Sequence, residues 1–201
     1  LHRPGACSHN KDWQGRYWDR VFRMFSRDKN HASITMWSLG NESHGYLNQD
    51  YCYNELKKLT PIPIHYEGVC RTKRFAYDVI SHMYAWPIMC EKIAAGKLPK
   101  YKNKPFFQCE YAHAMGVGAG ELERYMKIFY SSNNMLGGCI WEFADHAAYH
   151  ENEKIKYTYG GDHGEEKHDG NFCMDGLFFP ERSPNSGAKQ MKNCYSPVRC
   201  E

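Results

Sequence analysis

Short apolar runs that each stop at a glycine or a polar residue recur along this chain, with amphipathic stretches between them. The runs cover residues 33–39, 61–67, 78–84, 105–109 and 137–143, roughly one strand per twenty-odd residues. Residues 12–27 open the series as a helix: Tyr17, Val21, Met24 and Phe25 share one face, while Arg16, Asp19, Arg20 and Arg23 take the other. Residues 48–59, 89–95 and 120–130 read as further helices, the last with Leu122, Tyr125, Met126 and Phe129 on one side. Alternation of this kind predicts an α/β fold built on a parallel sheet. The mostly apolar run 33–39 suits a strand buried on both faces of such a sheet.

Beyond Asp145 the texture changes. Residues 149–171 are rich in Gly, His, Glu, Asp and Lys and read as one long loop, of the kind that is functional when ordered. Ser183-Pro184-Asn185-Ser186-Gly187 reads as a lead toward a further domain, which places a first domain at residues 1–192 and a tail at 193–201. Leu1 rather than Met at the first position leads to the expectation that the chain is a piece of a longer one.

Composition removes several classes. A net charge of +3 with scattered Lys and Arg lacks the basic stripe of a nucleic-acid binder. No secretory segment and no apolar run long enough to cross a bilayer is present, so no membrane partner is expected. Nine cysteines spread from Cys7 to Cys200 include no Cys-x-x-Cys pair, which fits free thiols in a reducing cytoplasm better than a disulfide framework or a zinc site. His163 and His168 sit in the long loop without ligand spacing on a regular element. No phosphate-binding glycine loop and no Gly-x-Ser-x-Gly elbow occurs.

Polar residues close four of the strands: Asn41 and Glu42, Tyr84, Glu110 with His113, and Glu142 with Asp145. In parallel barrels the chemistry gathers at the C-terminal strand ends. Two carboxylates facing each other from such ends are the minimum apparatus for cleaving a glycosidic bond, and a retaining enzyme needs them about 5–5.5 Å apart. The acid must hold its proton near neutral pH and the nucleophile must stay ionised. Taken singly, each of these residues is as well read as an ordinary loop or core residue.

The longer motifs go further. Trp37-Ser38-Leu39-Gly40-Asn41-Glu42-Ser43, Cys109-Glu110-Tyr111-Ala112-His113-Ala114-Met115-Gly116, Gly137-Gly138-Cys139-Ile140-Trp141-Glu142 and Asp169-Gly170-Asn171-Phe172-Cys173-Met174-Asp175-Gly176-Leu177 occur in that order. Together they resemble the β-galactosidases of glycoside hydrolase family two, over residues 13–192. The resemblance implies a (β/α)8 TIM barrel of which strands 4–8 are present, and a retaining double displacement on terminal β-D-galactosides such as lactose. It implies Glu42 as acid/base and Glu110 as nucleophile. Asn41 matches a residue near the sugar 2-hydroxyl, Tyr84 one that orients the nucleophile, His113 one that contacts galactose hydroxyls, and Trp141 a platform under the ring. Phe172, through its carbonyl, and Asp175 match positions near a sodium ion, and Glu42 matches a magnesium ligand. The other magnesium ligands lie upstream in the family, and His2 is a possible remnant of that segment.

Departures from the pattern stand at Ala32, His44 and Val117. The implied partners are the remaining barrel strands and sandwich domains, or a complementary fragment, with homo-oligomerisation open. Two alternatives stand beside this reading: a sugar-binding piece without catalysis, and a β-glucuronidase or β-mannosidase of the same family.

Overall fold

The computed structural model describes residues 7–152 and 154–198, so the possible remnant His2 and Cys200 lie outside the described residues. In chain order the first elements are α1 (Gln14–Asp28), β1 (Trp37–Ser38), α2 (Leu47–Lys57), β2 (Ile64–His65) and β3 (Ile80–Met83). Then come α3 (Pro87–Ala94), β4 (Phe106–Tyr111), α4 (Leu122–Tyr130) and β5 (Met135–Ile140). A 3-10 turn at Glu67–Arg71 leads out of β2. The alternation read from the sequence is therefore present. Pro87 stands in the first turn of α3, where its missing N–H costs nothing.

All pairings among β1 to β5 are parallel. β1 pairs with β2, and β4 is the centre of a three-stranded sheet between β3 and β5. One seam joins the two sheets. The Asp78 N–H donates to the Ile64 carbonyl at 3.2 Å, and the Ile64 N–H donates back to the Asp78 carboxylate at 2.9 Å. Tyr53 and Lys57 of α2 reach the same carboxylate at 2.9 and 2.7 Å.

The helices cover one side of the strands and form two apolar clusters. Val21, Trp37, Leu39, Cys52, Leu56 and Ile64 belong to one, against α1 and α2. Ile80, Phe106, Tyr111, Leu122, Phe129 and Ala188 belong to the other, against α3, α4 and the last helix. The opposite side carries Ser38, His65, Ser81, Phe107 and Cys109. There the two nitrogens of the His65 ring bond Ser38 Oγ and Ser81 Oγ at 2.9 and 2.7 Å, stitching β1, β2 and β3 together. Burial pushes the imidazole down to about 4, so it serves this bridge as a neutral ring with one donor and one acceptor nitrogen.

Three expectations change. The run 33–39 forms a strand only at Trp37–Ser38, and it is covered on one face: Trp37 is buried while Ser38 is exposed. β4 runs through Glu110 to Tyr111 instead of ending at Cys109, because the Glu110 backbone still pairs with Met83. The segment 149–171 is not wholly irregular, since β6 (Ala148–Tyr149) and β7 (Tyr157–Thr158) form a short antiparallel pair at its start. The stretch 183–187 leads into α5 (Ser186–Cys194). Asn185 caps that helix by accepting the Ala188 N–H at 2.9 Å.

Candidate active site

β4 places Glu110 in the middle of the sheet, and the ladder is irregular at that point. His82 pairs with Gln108 but Met83 pairs with Glu110, so Cys109 is an extra residue in the strand. Such a bulge re-aims the side chain that follows it. On the β3 side the Tyr84 N–H donates to the Glu110 carbonyl at 2.8 Å, and the Tyr84 phenol hydrogen-bonds the Glu110 carboxylate. Tyr84 holds a left-handed φ of 53°, which brings its ring back over the strand end.

Two groups of forces act on Glu110. Burial pushes its carboxyl above the ordinary range and the Tyr84 hydrogen bond opposes it; the charges of Glu42 and Glu67 raise it further while His113 lowers it. The net direction is upward. Burial, the hydrogen bond to Glu110 and its charge push the Tyr84 phenol up as well, so Tyr84 stays protonated and donates.

Glu42 follows β1 on an exposed turn with φ of 47°. Its N–H donates to Glu67 Oε2 at 3.0 Å. Asn41, also exposed, lines an open cleft of about 230 Å³ together with Ser38, His65, Glu67, Cys109 and Glu110. Glu110 thus opens into this cleft at the C-terminal strand ends, and Glu42, one residue beyond the lining Asn41, is near enough for its charge to act on Glu110.

β5 stops at Ile140, and Trp141 and Glu142 follow it. Trp141 Nε1 donates to Asp175 Oδ2 at 2.9 Å, and His113 Nε2 lies 3.7 Å from the same oxygen. The rings of His113 and Tyr84 are 6.1 Å apart, and those of His113 and Phe172 5.9 Å apart. Tyr84, His113, Trp141, Phe172 and Asp175 therefore form one connected wall beside Glu110. Burial raises the pKa of Glu142 first, then the neighbouring Asp175 carboxylate, with His146 opposing from 3.0 Å. Asp145, a strand-end candidate, spends Oδ1 on the Gly176 N–H at 2.8 Å and holds the backbone of this wall. Gly176 is required there, since an added Cβ would meet the backbone at residues 144–145 at 2.3 Å.

The family model described as "Glycosyl hydrolases family 2, TIM barrel domain" matches residues 4–200. The chain belongs to glycoside hydrolase family 2. It is 40% identical over 200 residues to a β-galactosidase of Priestia megaterium and 39% identical over 202 to one of Kluyveromyces lactis. These alignments take in 98% and 95% of this chain but 19% of each relative, so the family 2 chain spans about a fifth of their length. Among solved structures it is similar to a Ruminococcus gnavus β-glucuronidase (TM-score 0.62, 20% identity, 99% of this chain and 40% of that one). It is also similar to a β-galacturonidase from Eisenbergiella tayi bound to galacturonate (TM-score 0.64, 17% identity, 95% and 38%). At these identities the likeness carries the fold alone.

The family 2 chain also has a site residue that the sequence reading passed over. Glu67 is 2% exposed at the end of β2 and touches the Glu42 backbone. Its signal was the same as that of Glu42 and Glu110, an acid closing an apolar run, but no long motif surrounds it. Among the described residues no group of three or more His, Cys, Asp or Glu is placed to hold a metal ion, His163 and His168 included. Asp175 nonetheless has the character of a cation ligand: it is 2% exposed, and its Oδ1 has no hydrogen-bond partner.

Proposed function

We propose that this chain supplies the catalytic face of a retaining β-galactosidase, with β1 to β5 as strands 4–8 of its barrel. The observation that carries the reading is the gathering of two carboxylates at the C-terminal strand ends: Glu110 lines the cleft beside Asn41, and the charge of Glu42 and the Tyr84 phenol both act on it. In this reading Glu110 attacks the anomeric carbon while Glu42 protonates the departing oxygen. Water then releases the sugar, with Glu42 as base. Tyr84 keeps the nucleophile aimed. Asn41 and His113 bond sugar hydroxyls, and Trp141, fixed edge-on by Asp175, offers its face to the pyranose.

A neutral sugar is favoured over a uronide by charge. Glu42, Glu67, Glu110, Glu142 and Asp175 line or adjoin the site, and Arg71, the cation beside it, is engaged by Glu67 at 2.6 Å. A uronate carboxylate would add another negative charge to this group at a cost that low-dielectric surroundings enlarge. The β-galactosidase relatives, at about 40% identity, point the same way.

Sodium at the Phe172 carbonyl and Asp175 fits the open carboxylate oxygen of Asp175, and would hold the sugar's 6-hydroxyl side. Glu42, as an exposed carboxylate, is free to contribute to a magnesium site whose other ligands come from elsewhere in the enzyme. The remaining barrel strands, contributed by the same polypeptide or a complementary fragment, would cover the Ser38, Phe107 and Cys109 side.

The test is hydrolysis of chromogenic β-galactoside, β-glucuronide and β-mannoside by wild type, Glu110→Gln and Glu42→Gln. Galactoside is expected to turn over fastest, with both variants impaired. Undiminished turnover by Glu110→Gln would remove the nucleophile assignment, and galactose binding without any hydrolysis would establish the non-catalytic alternative.

A further inference from the structure

Glu67 begins the turn after β2 and is 2% exposed, and a carboxylate buried to that degree needs strong partners. It has two. Arg71 Nη2 lies 2.6 Å from Oε1, without hydrogen-bond alignment, and the Glu42 N–H donates to Oε2 at 3.0 Å. The ion pair by itself gives no reason for the burial, since the Arg71 side chain is 45% exposed and could pair at the surface. The second contact does. Glu42 is a non-glycine residue at φ of 47°, a strained conformation that survives only where the surroundings enforce it.

Little else holds that turn. β1 ends at Ser38, and its last backbone bond to β2 is from the Leu39 N–H to the His65 carbonyl at 2.9 Å. Beyond it, Ser8 Oγ donates to the Ser43 carbonyl at 2.7 Å and Ser43 Oγ to the Asn41 carbonyl at 3.3 Å, which secure the residues on either side of Glu42 rather than Glu42 itself. The bond from Glu67 is thus the direct hold on the backbone of the acid/base, and it is charge-assisted. Glu67 also lines both the catalytic cleft and a neighbouring cavity with His9, His44 and Arg71, so its carboxylate forms the partition between them.

We propose that Glu67, set in place by Arg71, is a positioning residue: it fixes the Glu42 backbone so that the Glu42 carboxyl meets the leaving-group oxygen. The inference rests on the β-galactosidase reading and adds a residue to it.

The experiment exploits the chemistry of the acid. Phenoxide is a poor leaving group and needs a proton from Glu42, whereas 2,4-dinitrophenolate departs without one. In the intact enzyme, Glu67→Ala is expected to lower kcat/KM for phenyl β-galactoside about 10- to 100-fold, the scale of a displaced catalytic group. The 2,4-dinitrophenyl β-galactoside should change by less than about threefold, because no general-acid contribution is lost there. Glu67→Gln retains an oxygen that accepts the Glu42 N–H, and should recover most of the phenyl rate.

Equal losses on both substrates, or no recovery in Glu67→Gln, would show a purely structural ion pair and overturn the inference. Should Glu67→Ala fail to fold, Arg71→Gln carries the same comparison, with a smaller loss still confined to the phenyl substrate. A wild-type enzyme inert toward both galactosides would instead bring down the galactosidase reading, and this inference with it.

Discussion

Glu110 lies inside a six-residue strand that is paired on both sides, whereas Glu42 follows a two-residue strand paired on one. Around Glu110 the backbone does most of the positioning. The Tyr84 N–H reaches its carbonyl, the bulge at Cys109 sets its direction, and the Tyr84 phenol meets its carboxylate. Around Glu42 the same task falls to one side-chain acceptor, Glu67, and a strained φ. The proposed nucleophile is thus built by a sheet and the proposed acid/base by a few side chains. Substitutions on the two sides should therefore fail differently: on the Glu110 side through chemistry, on the Glu42 side through geometry.

The largest effect belongs to the carboxylates themselves. Glu110→Gln should remove turnover of every aryl galactoside, whatever its leaving group. Glu42→Gln should cost about 10²- to 10⁴-fold with phenyl substrates, the usual worth of a general acid, and far less in glycosylation by dinitrophenyl ones. A Glu110→Gln variant that kept the leaving-group selectivity of Glu42→Gln would reverse the two roles.

Tyr84→Phe comes next. It removes a hydrogen bond to an ionised carboxylate, worth about 1.5–3 kcal/mol, and so should slow the enzyme roughly 10- to 100-fold. It carries a signature as well. Burial already pushes Glu110 up and the Tyr84 phenol holds it down, so losing the phenol moves the carboxyl further upward. Because the nucleophile must be ionised, the acid limb of kcat/KM should shift to higher pH. An acid limb that stays in place, measured against pH with the wild type, would mean that Tyr84 acts on the substrate and not on Glu110.

The two sides also differed in how much the sequence disclosed. Helix α1 was legible because Tyr17, Val21, Met24 and Phe25 repeat at helical spacing, and β4 because Phe106 to Cys109 is a compact apolar run. Glu42 and Glu110 stood out through long motifs. The length of β1 was not legible: residues 33–36 have strand-forming side chains, but tertiary pairing reaches only Trp37 and Ser38. Helix α5 was hidden by Pro184 and Gly187, whose turn character masks the cap supplied by Asn185. The bond between Trp141 and Asp175 spans 34 residues, and the Glu67 contact with Glu42 spans 25, distances at which no periodicity speaks.

Stability separates the two sides further. Gly176→Ala would force a Cβ to 2.3 Å from the backbone at residues 144–145, where backbone rather than a flexible side chain must yield. A cost of about 1–3 kcal/mol is expected for such overpacking, read as a lower Tm. The same change should loosen Trp141 and Asp175, since Asp145 binds the Gly176 N–H. A melt within error of wild type would show that the wall beside Glu110 is softer than its contacts imply.

The smallest effect tests the seam. Asp78 accepts from the Ile64 N–H, the Tyr53 hydroxyl and Lys57, so its carboxylate ties α2 and β2 to the start of β3. Burial alone would raise its pKa, but Lys57, the Ile64 N–H and Tyr53 outweigh that and hold it below the ordinary range. A carboxylate with a depressed folded pKa adds stability that is complete above its unfolded value, about 3.9, and is lost as pH falls through the folded value. Asp78→Asn keeps one acceptor and should cost about 1 kcal/mol at neutral pH, seen as a lower urea midpoint. The difference from wild type should shrink as pH drops below about 4, where the wild-type carboxyl also protonates. Hydrogen exchange should locate the damage: the Trp37 and Leu39 amides, which bond across to β2, should exchange faster, while the Phe106 and Tyr84 amides of the three-stranded sheet keep their protection. Equal acceleration in both groups would mean that the two sheets unfold as one unit, and that the difference between the scaffolds of Glu42 and Glu110 is local to their loops.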